Sequence, residues 1–403
     1  MEFDSKKPVK ILFVTFVPFP YGLAQTNRLI AIARGLTYSG GVVKVICLKP
    51  TASPSSKKVN PTGVFEGIEY AYPGGTTVRS RNPLIRIFHY LSGFINTNFY
   101  IIRENRRLKT DFICIGIVPF FMYTWFYLLS SILRIKYIQE RSEYPFIKAK
   151  KSIFDPLSLK VYLNLVCKYF DGFLVITHEL KKYFSPHLGK DCPVFLLPIL
   201  VESDRFALKP VTSDVKYIAY CGSMQGDKDG VPDLIEAYNI FRNSHPEIKL
   251  YLIGSTQFPE FEELKQKISG LKLEEDIIFT GVIGRDELPS ILAGAMILVL
   301  ARPENAQAKG GFPTKLGEYL STGKPVLVTD VGEITDYLTD CIHAFIAPPG
   351  NPEAFAQKMT YIIDQYDQAL NVGLQGQQLA HSTFNYKFQG KLLMNWLKEI
   401  ING

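Results

Sequence analysis

Short apolar runs alternate along this chain with longer segments in which apolar side chains recur every three or four residues. The short runs, rich in Val, Ile, Leu and Phe, are typical of buried strands, and the periodic segments are typical of helices. In the first half a helix is predicted at 26–39, with Thr26 as its N-cap, and residues 67–75 predict a hairpin-like stretch. Strands are predicted at residues 10–16, 43–48, 112–118, 137–139, 172–176 and 194–197.

The second half repeats this alternation after a polar stretch without any period, residues 202–215, which is the predicted linker. Strands interleaved with helices in both halves predict an α/β fold with parallel, wound sheets. Helices are predicted at 231–243 and 285–293, and strands at 217–221, 249–253, 277–280, 296–300, 326–328 and 343–346.

Three segments bear on membrane contact. Residues 11–24 follow several lysines as in a signal peptide, but two prolines interrupt them and a first strand is the better interpretation. Residues 112–133 carry no charge and are long enough to span a bilayer, yet Pro119 divides them into a strand and a helix, so a buried unit is predicted. Residues 79–109 mix cations with aromatic rings, which fits either a solvated helix with a packed aromatic face or a membrane-surface helix.

Charge is spread unevenly. The net charge is +7, but residues 1–200 carry 27 Lys and Arg against 12 Asp and Glu, whereas residues 201–403 carry 18 against 26. A basic half indicates an anionic membrane surface, a phosphate-bearing substrate or nucleic acid, and because no zinc-finger or ribonucleoprotein motif occurs, nucleic acid is not predicted. The six scattered cysteines predict reduced thiols in a cytoplasmic protein, with no disulfide framework and no metal site. The basic first half, with its cation-and-aromatic run at 79–109, predicts peripheral association with the inner face of the plasma membrane.

Candidate chemistry centres on residues 310–325. Gly310 and Gly311 predict a tight loop with exposed backbone N–H groups between a strand and a helix that stops at Gly323. Such a helix N-terminus can hold an anion. Lys315 and Glu318 share a helical face, so they could hold a phosphate and sugar hydroxyls respectively, or form an ordinary ion pair with each other.

A second glycine loop, 222–230, contains Lys228 and follows another predicted strand. Two anion loops in one sheet indicate a diphosphate between them. Neither loop has the dinucleotide-binding or P-loop spacing, which excludes dehydrogenases and P-loop enzymes. In the first half, polar residues follow the strand at 137–139, where open sheets bind ligands, and three of them are candidates for the acceptor side: Glu140, Arg141 and Glu143.

These residues resemble a known family. The loop 222–230 followed by Leu234-Ile235-Glu236-Ala237 resembles the glycine–arginine–lysine loop and helix of glycosyltransferase family 4, within the GT-B glycosyltransferases. Further segments resemble the base-contacting segment, the turn after the glutamate helix, the interdomain segment and the first glycine loop of that family; they are Phe279-Thr280-Gly281-Val282, Gly323-Lys324-Pro325-Val326, residues 198–206 and Gly22. The loop Gly311-Phe312-Pro313-Thr314-Lys315 is similar to that of bacterial surface-polysaccharide members.

The resemblance covers nearly the whole chain and implies a GT-B fold, with two Rossmann-like domains whose parallel sheets face across a cleft. It implies an acceptor-side domain at 1–204, a donor domain at 205–385 and a C-terminal helix, 386–403, packed back on the first domain. The implied activity is retaining transfer of a sugar from a nucleotide-diphosphate sugar to a glycan or lipid-linked acceptor, in the assembly of a bacterial-type polysaccharide or glycoconjugate. No cofactor and no metal are implied.

The resemblance also implies residue roles. Lys228 and Lys315 would neutralise the diphosphate, Glu318 would hold the ribose, and Val282 or Ile283 would meet the base. The remaining donor-binding residues implied are Gly22, Gly222, Ser223, Gly311, Phe312, Pro313 and Thr314.

The chain departs from the family pattern at three places. Gly310 stands where the first of two glutamates is usual, Ser223 stands where arginine is usual, and the region of Arg141 replaces a histidine. The first departure bears on which sugar is transferred. Two other functions fit a similar build: a nucleotide-sugar epimerase, and a sugar-nucleotide binding protein without catalysis.

Overall fold

The computed structural model describes residues 7–52, 59–145, 155–206, 215–226 and 228–403. The chain forms two compact units. The first comprises Met1–Leu200 together with Tyr386–Gly403, and the second comprises Val201–Asn385. The chain therefore leaves the first unit after Leu200, whereas the sequence predicted a boundary after residue 204.

The first unit is built on an eight-stranded sheet. Its strands are β1 (Lys10–Thr15), β2 (Val42–Cys47), β3 (Thr62–Phe65), β4 (Ile68–Ala71), β5 (Phe112–Ile115), β6 (Lys136–Arg141), β7 (Gly172–Val175) and β8 (Val194–Leu196). They lie in the order β3-β4-β2-β1-β5-β6-β7-β8, and within this sheet the described pairings are parallel except that of β3 with β4. This antiparallel pair forms a hairpin that begins at Thr62, five residues before the predicted stretch 67–75. Its helices are α1 (Ala24–Tyr38), α2 (Pro83–Arg107), α3 (Phe120–Leu133), α4 (Asp155–Asn164), α5 (His178–Phe184) and α14 (Tyr386–Asn402).

An apolar cluster of the first unit joins β1, β2 and β5 to α1 and α14. The two helices meet at glycines: a Cβ placed on Gly390 would lie 2.3 Å from the carbonyl carbon of Gly35, so no larger residue fits there. One local prediction is wrong. The N-cap of α1 is Leu23, and Thr26 lies inside the helix, where its hydroxyl donates to the carbonyl of Pro18 at 2.8 Å.

The uncharged run 112–133 does divide at Pro119, into β5 and α3. The prediction that the whole run is buried is wrong, because one side of α3 is exposed even though Met122 and Phe126 pack inward. In the described part of the chain, no helix is both long and apolar enough to cross a membrane.

The second unit is built on a six-stranded sheet in which every described pairing is parallel. Its strands are β9 (Tyr217–Cys221), β10 (Lys249–Ile253), β11 (Ile277–Gly281), β12 (Ile297–Leu300), β13 (Val326–Thr329) and β14 (Phe345–Ala347), in the order β11-β10-β9-β12-β13-β14. Its helices are α6 (Val231–Phe241), α7 (Phe261–Gly270), α8 (Leu288–Gly294), α9 (Ala306–Gly310), α10 (Thr314–Ser321), α11 (Ile334–Tyr337), α12 (Pro352–Asp364) and α13 (Tyr366–Ser382).

The predicted linker 202–215 is only partly described, because residues 207–214 lie outside the described residues. For residues 202–206 the prediction is wrong. Glu202 is buried and Ser203–Phe206 form a turn of 3₁₀ helix. This segment packs within the second unit, because its side chains make ion pairs there.

Candidate functional site

Strand order places the candidate site at the carboxyl ends of β9 and β12. Starting from β9, the next two strands of the chain, β10 and β11, are added on one side of the sheet. The following strands, β12, β13 and β14, are added on the other side of β9. The sheet therefore has its topological switch point between β9 and β12, and open α/β sheets bind ligands just beyond such a point.

Glycines shape the loop that leaves β9. A Cβ on Gly222 would lie 1.9 Å from the Lys315 Nζ, so a larger residue here would displace the lysine from its place over this backbone. Gly230, the N-cap of α6, has a φ of +66° and stands so close to the carbonyl of Ala301 that a Cβ would lie 1.7 Å from its oxygen. These two close approaches bring the loop 222–230, the residues after β12 and the start of α10 together.

Lys315 is held by a buried carboxylate that the sequence did not single out. Its Nζ lies 2.5 Å from the Asp229 Oδ2 and 3.2 Å from the Tyr220 hydroxyl, and it stands 4.6 Å from the centre of the Tyr220 ring. The Tyr220 hydroxyl lies 2.8 Å from the same Asp229 oxygen. The other oxygen of Asp229 lies 3.8 Å from the Nε of the buried Arg302.

The cations of this cluster counteract the effect of burial on the pKa of Asp229. Burial by itself raises the pKa of Asp229, but the charge and hydrogen bond of Lys315, with the charge of Arg302, outweigh it and hold that pKa below its usual 3.8. Burial, with Asp229 as a second cause, raises the pKa of Tyr220 well above its usual range. The Asp229 carboxylate is therefore shared by two cations, Lys315 and Arg302, beside the switch point.

α10 is fixed to the end of β9 by a tyrosine. The Tyr319 hydroxyl accepts from the backbone N–H of Cys221 at 2.6 Å and lies 3.3 Å from the carbonyl oxygen of Cys221. Burial raises the pKa of the Cys221 thiol to about 12, so this thiol is not a candidate nucleophile. The contact positions the first turn of α10, and with it Lys315, over the loop 222–230.

Glu318 belongs to a second cluster of charges. Its Oε1 lies 3.4 Å from the Nη1 of Arg205, and Arg205 also donates to the carbonyl of Arg285 at 2.6 Å. Arg285 forms an ion pair with the buried Glu202, and Glu202 lies 3.9 Å from Arg205. Burial raises the pKa of Glu318, although the charges of Arg205 and Arg285 oppose that rise. Lys315 and Glu318 thus have separate partners, which disfavours the ordinary ion pair between them.

The loop before α10 differs from its prediction. Gly310 ends α9, Gly311 follows in an extended conformation, and both are buried, so the predicted exposed glycine loop directly after a strand is wrong. Phe312 packs edge-on to Tyr337, with ring centres 5.3 Å apart, and also contacts Phe384. These rings, which the sequence did not connect, anchor the loop.

The other predicted donor residues are placed as follows. Pro313 is the N-cap of α10 and Thr314 is its first residue, half-buried. Ser223 is exposed in the loop after β9, where the half-buried Lys228 also lies. Val282 is exposed immediately beyond β11, followed by the half-buried Ile283.

The predicted residues of the first unit are described separately. Gly22 is exposed in the loop between β1 and α1. β6 continues through Arg141, so Glu140 and Arg141 lie within the strand, not beyond it as predicted. Glu140 forms an ion pair with the buried Arg28 at 2.7 Å, Arg141 is buried 5.3 Å from the centre of the Tyr162 ring, and Glu143 is half-buried after β6.

Sequence reasoning missed the charges that hold the predicted lysine and glutamate. Four of the missed residues had a signal: Arg302 and Arg285 follow strand ends closely, and Arg205 and Glu202 lie in the segment taken for a linker. The fifth, Asp229, had no such signal.

Comparison with known proteins gives a family match in the second unit. Residues 215–365 match the family described as Glycosyl transferases group 1. The mannosylfructose-phosphate synthase of Agrobacterium fabrum (strain C58 / ATCC 33970) is 26% identical over 144 residues, which are 34% of this chain and 30% of that protein. The match therefore spans less than a third of that relative's length.

Solved structures are similar over nearly the full chain. Sucrose-phosphate synthase from Thermosynechococcus elongatus superposes with a TM-score of 0.74 at 14% identity, covering 98% of this chain and 99% of that one. Anabaena HepE, solved in complex with UDP and glucose, has a TM-score of 0.69 at 16% identity, covering 97% and 100%. At such identities the likeness establishes the fold, with two parallel-sheet domains as in the GT-B glycosyltransferases.

Proposed function

Because this chain has the GT-B fold and carries a glycosyl transferases group 1 domain, we propose that it is a retaining glycosyltransferase that uses a nucleotide-diphosphate sugar. The observation that carries the proposal is Lys315, whose ammonium lies at the N-terminal turn of α10 over the loop after β9. A cation, a helix N-terminus and a glycine loop at a switch point together suit a diphosphate.

The diphosphate would share Lys315 with Asp229. In the structure Asp229 is shared between Lys315 and Arg302, so the lysine is held in place without ligand. An arriving diphosphate finds the lysine already oriented, and pre-oriented charge is what stabilises a departing anion most effectively. Lys228, in the same loop, is the proposed second cation.

Glu318 is the proposed acceptor of hydrogen bonds from the ribose hydroxyls. It lies one helical turn beyond Lys315 on α10, and its carboxylate is already oriented by Arg205. A nucleoside diphosphate extended along α10 would therefore meet a cation at its phosphates and a carboxylate at its sugar. Val282 or Ile283, beyond the end of β11, is the proposed contact of the base.

The proposed reaction is same-face transfer. The bond between the sugar C1 and the diphosphate oxygen breaks, the acceptor hydroxyl forms a bond to C1 on the same face, and its proton passes to the departing phosphate oxygen. The proposed acceptor is a glycan or a lipid-linked saccharide, in the assembly of a polysaccharide or glycoconjugate. HepE binds UDP and glucose, which supports a nucleotide sugar as the donor.

The function is tested by following the donor with nuclear magnetic resonance. A thermal-shift panel of UDP-, GDP- and ADP-sugars first selects the nucleotide, because a ligand that binds the native state raises Tm. We expect the selected donor to persist with enzyme alone and to yield nucleoside diphosphate and a glycosylated product once a membrane or glycan extract is added. Inversion of a stereocentre in the donor sugar without any acceptor would instead establish an epimerase. Binding of the donor without turnover in any extract would establish a non-catalytic protein.

We predict that transfer needs no divalent metal. Lysines occupy the places at which a diphosphate must be neutralised, so the charge that a metal would supply is provided by the chain. The turnover rate should therefore be unchanged in EDTA. Loss of transfer in EDTA that is restored by magnesium or manganese would contradict the prediction.

A further inference from the structure

The surface formed by α2 and α3 carries large apolar side chains in regular stripes. Five of the exposed apolar residues on α2 recur at spacings of four, three, four and four: Leu84, Phe88, Leu91, Ile95 and Phe99. Four of those on α3 recur at spacings of four, three and four: Phe121, Trp125, Leu128 and Ile132. Such spacings place each set on one face of its helix. Ile85, Ile87 and Phe120 are exposed beside these stripes.

The exposure of these side chains is large. Phe88 is 67% exposed, Leu84 75% and Ile132 78%, in a chain whose other apolar side chains mostly fill two cores. Contiguous apolar surface of this kind marks an interaction site.

The two stripes are neighbours. Trp125, a member of the α3 stripe, donates its indole N–H to the Asn98 side chain of α2 at 2.7 Å. Its ring lies 5.9 Å from that of Phe94, which also contacts Phe121 at 5.7 Å. Aromatic packing therefore joins the helices into one surface, named here the α2–α3 face.

Charges around the α2–α3 face are of one sign. Residues 79–136 contain nine Lys and Arg but only two carboxylates. Both carboxylates are used inside the unit: Glu104 is buried in an ion pair with Lys44, and Asp111 accepts from the backbone N–H of Lys10 at 2.8 Å. All seven arginines of this segment are exposed: Arg79, Arg81, Arg86, Arg103, Arg106, Arg107 and Arg134.

We propose that the α2–α3 face docks this protein on an anionic lipid bilayer. Apolar side chains beside arginines, with a half-exposed tryptophan among them, match the bilayer interface, where acyl chains, amphipathic rings and anionic headgroups lie within one helix diameter. A protein partner would need carboxylates to match the arginines, whereas a phosphatidylglycerol surface supplies anions everywhere. The inference goes beyond the proposed donor site and does not depend on it.

Flotation of the full chain with vesicles tests the charge. We expect binding to phosphatidylcholine vesicles that contain phosphatidylglycerol, and release as salt is added, since salt screens the attraction. Arg106→Gln/Arg107→Gln should weaken binding about 25-fold, because each basic residue near an anionic surface contributes about fivefold. The charge-matched control Lys181→Gln/Lys182→Gln, on α5 against β7 and β8, should bind as wild type.

A second pair of variants tests α3, which the sequence assigned to the core. Leu128→Ser/Ile132→Ser should weaken vesicle binding about tenfold or more, because two half- to fully exposed side chains lose their burial in lipid. Leu374→Ser, an exposed apolar residue on α13, is the matched control and should bind as wild type.

Fluorescence gives a readout that is independent of affinity. The chain has two tryptophans, and Trp396 is buried in the first unit's core, so a blue shift on adding vesicles reports on Trp125. Trp125→Phe should bind vesicles without the shift.

Three results would overturn the proposal. The first is no flotation at low salt, and the second is flotation unaffected by Leu128→Ser/Ile132→Ser. The third is a lipid-free dimer in sedimentation velocity that this double variant dissociates, because the α2–α3 face would then be the contact with a second copy.

Discussion

Lys315→Ala is expected to lower kcat for sugar transfer by about 10²–10³-fold, the loss measured when one donor to a developing anion is removed. The Lys315 ammonium lies over the backbone of Gly222 in the loop after β9, and no backbone N–H can replace a full positive charge at a departing diphosphate. Steady-state kinetics at saturating donor measures the effect. Unchanged kcat would remove Lys315 from the reaction.

The structure adds a second consequence, which requires a control. Lys315→Ala strips the buried Asp229 of its 2.5 Å partner, so the variant should also lose about 3 kcal/mol of unfolding free energy. Lys315→Ala/Asp229→Asn removes the stranded charge and should regain part of that stability without regaining transfer. Recovery of transfer in the double variant would show that the single variant had failed through misfolding.

Asp229→Asn is expected to lower the unfolding free energy by about 3 kcal/mol at neutral pH, the lower end for breaking a buried pair, since Lys315 keeps 17% of its side chain exposed. Removing the carboxylate takes away the buried counter-charge of Lys315 and one ion-pair partner of Arg302. Urea unfolding of the variant and wild type, compared at one pH, measures the difference.

The pH dependence of that difference has a definite sign. Since the folded pKa of Asp229 lies below its usual 3.8, the stabilisation is present above about pH 4 and is lost as pH falls through the folded pKa. Wild type and variant should therefore converge in acid. The surface control Asp340→Asn, whose ion pair with Lys358 is solvent-exposed, should cost within about 1 kcal/mol at neutral pH. A stability difference for Asp229→Asn that stays constant from neutral to acid pH would contradict the assignment.

Most of the fold could be predicted because its strands are short apolar runs bounded by turn residues. The predicted bounds of β9, β10 and α3 match the structure residue for residue. The exposure of α3 could not be predicted. Periodicity shows which residues share a face of the helix, but it does not show how much of that face is covered by neighbouring elements. The prediction of a linker at residues 202–206 was wrong for a related reason. The polar residues of this segment are buried by partners distant in sequence, Arg285 and Glu318.

The candidate site was predicted in part. Glycine loops and a lysine are local signals, and they identified the region of Lys315. Asp229 carries no signal of its own, since its importance arises only when β9 and β12 become neighbours and bring Lys315 and Arg302 onto it. Long-range pairings of buried charge are therefore what the sequence leaves undetermined.

The return of α14 to the first unit has a consequence for folding during synthesis. The ribosome completes the whole second unit before it makes the last helix, yet side chains of that helix, such as Trp396 and Leu397, belong to the core built on β1. Domains generally fold as they emerge, N-terminal first. Here the face of α1 around Gly35 stays uncovered until α14 has been made, so the first unit can complete its core only after the second unit has been synthesised.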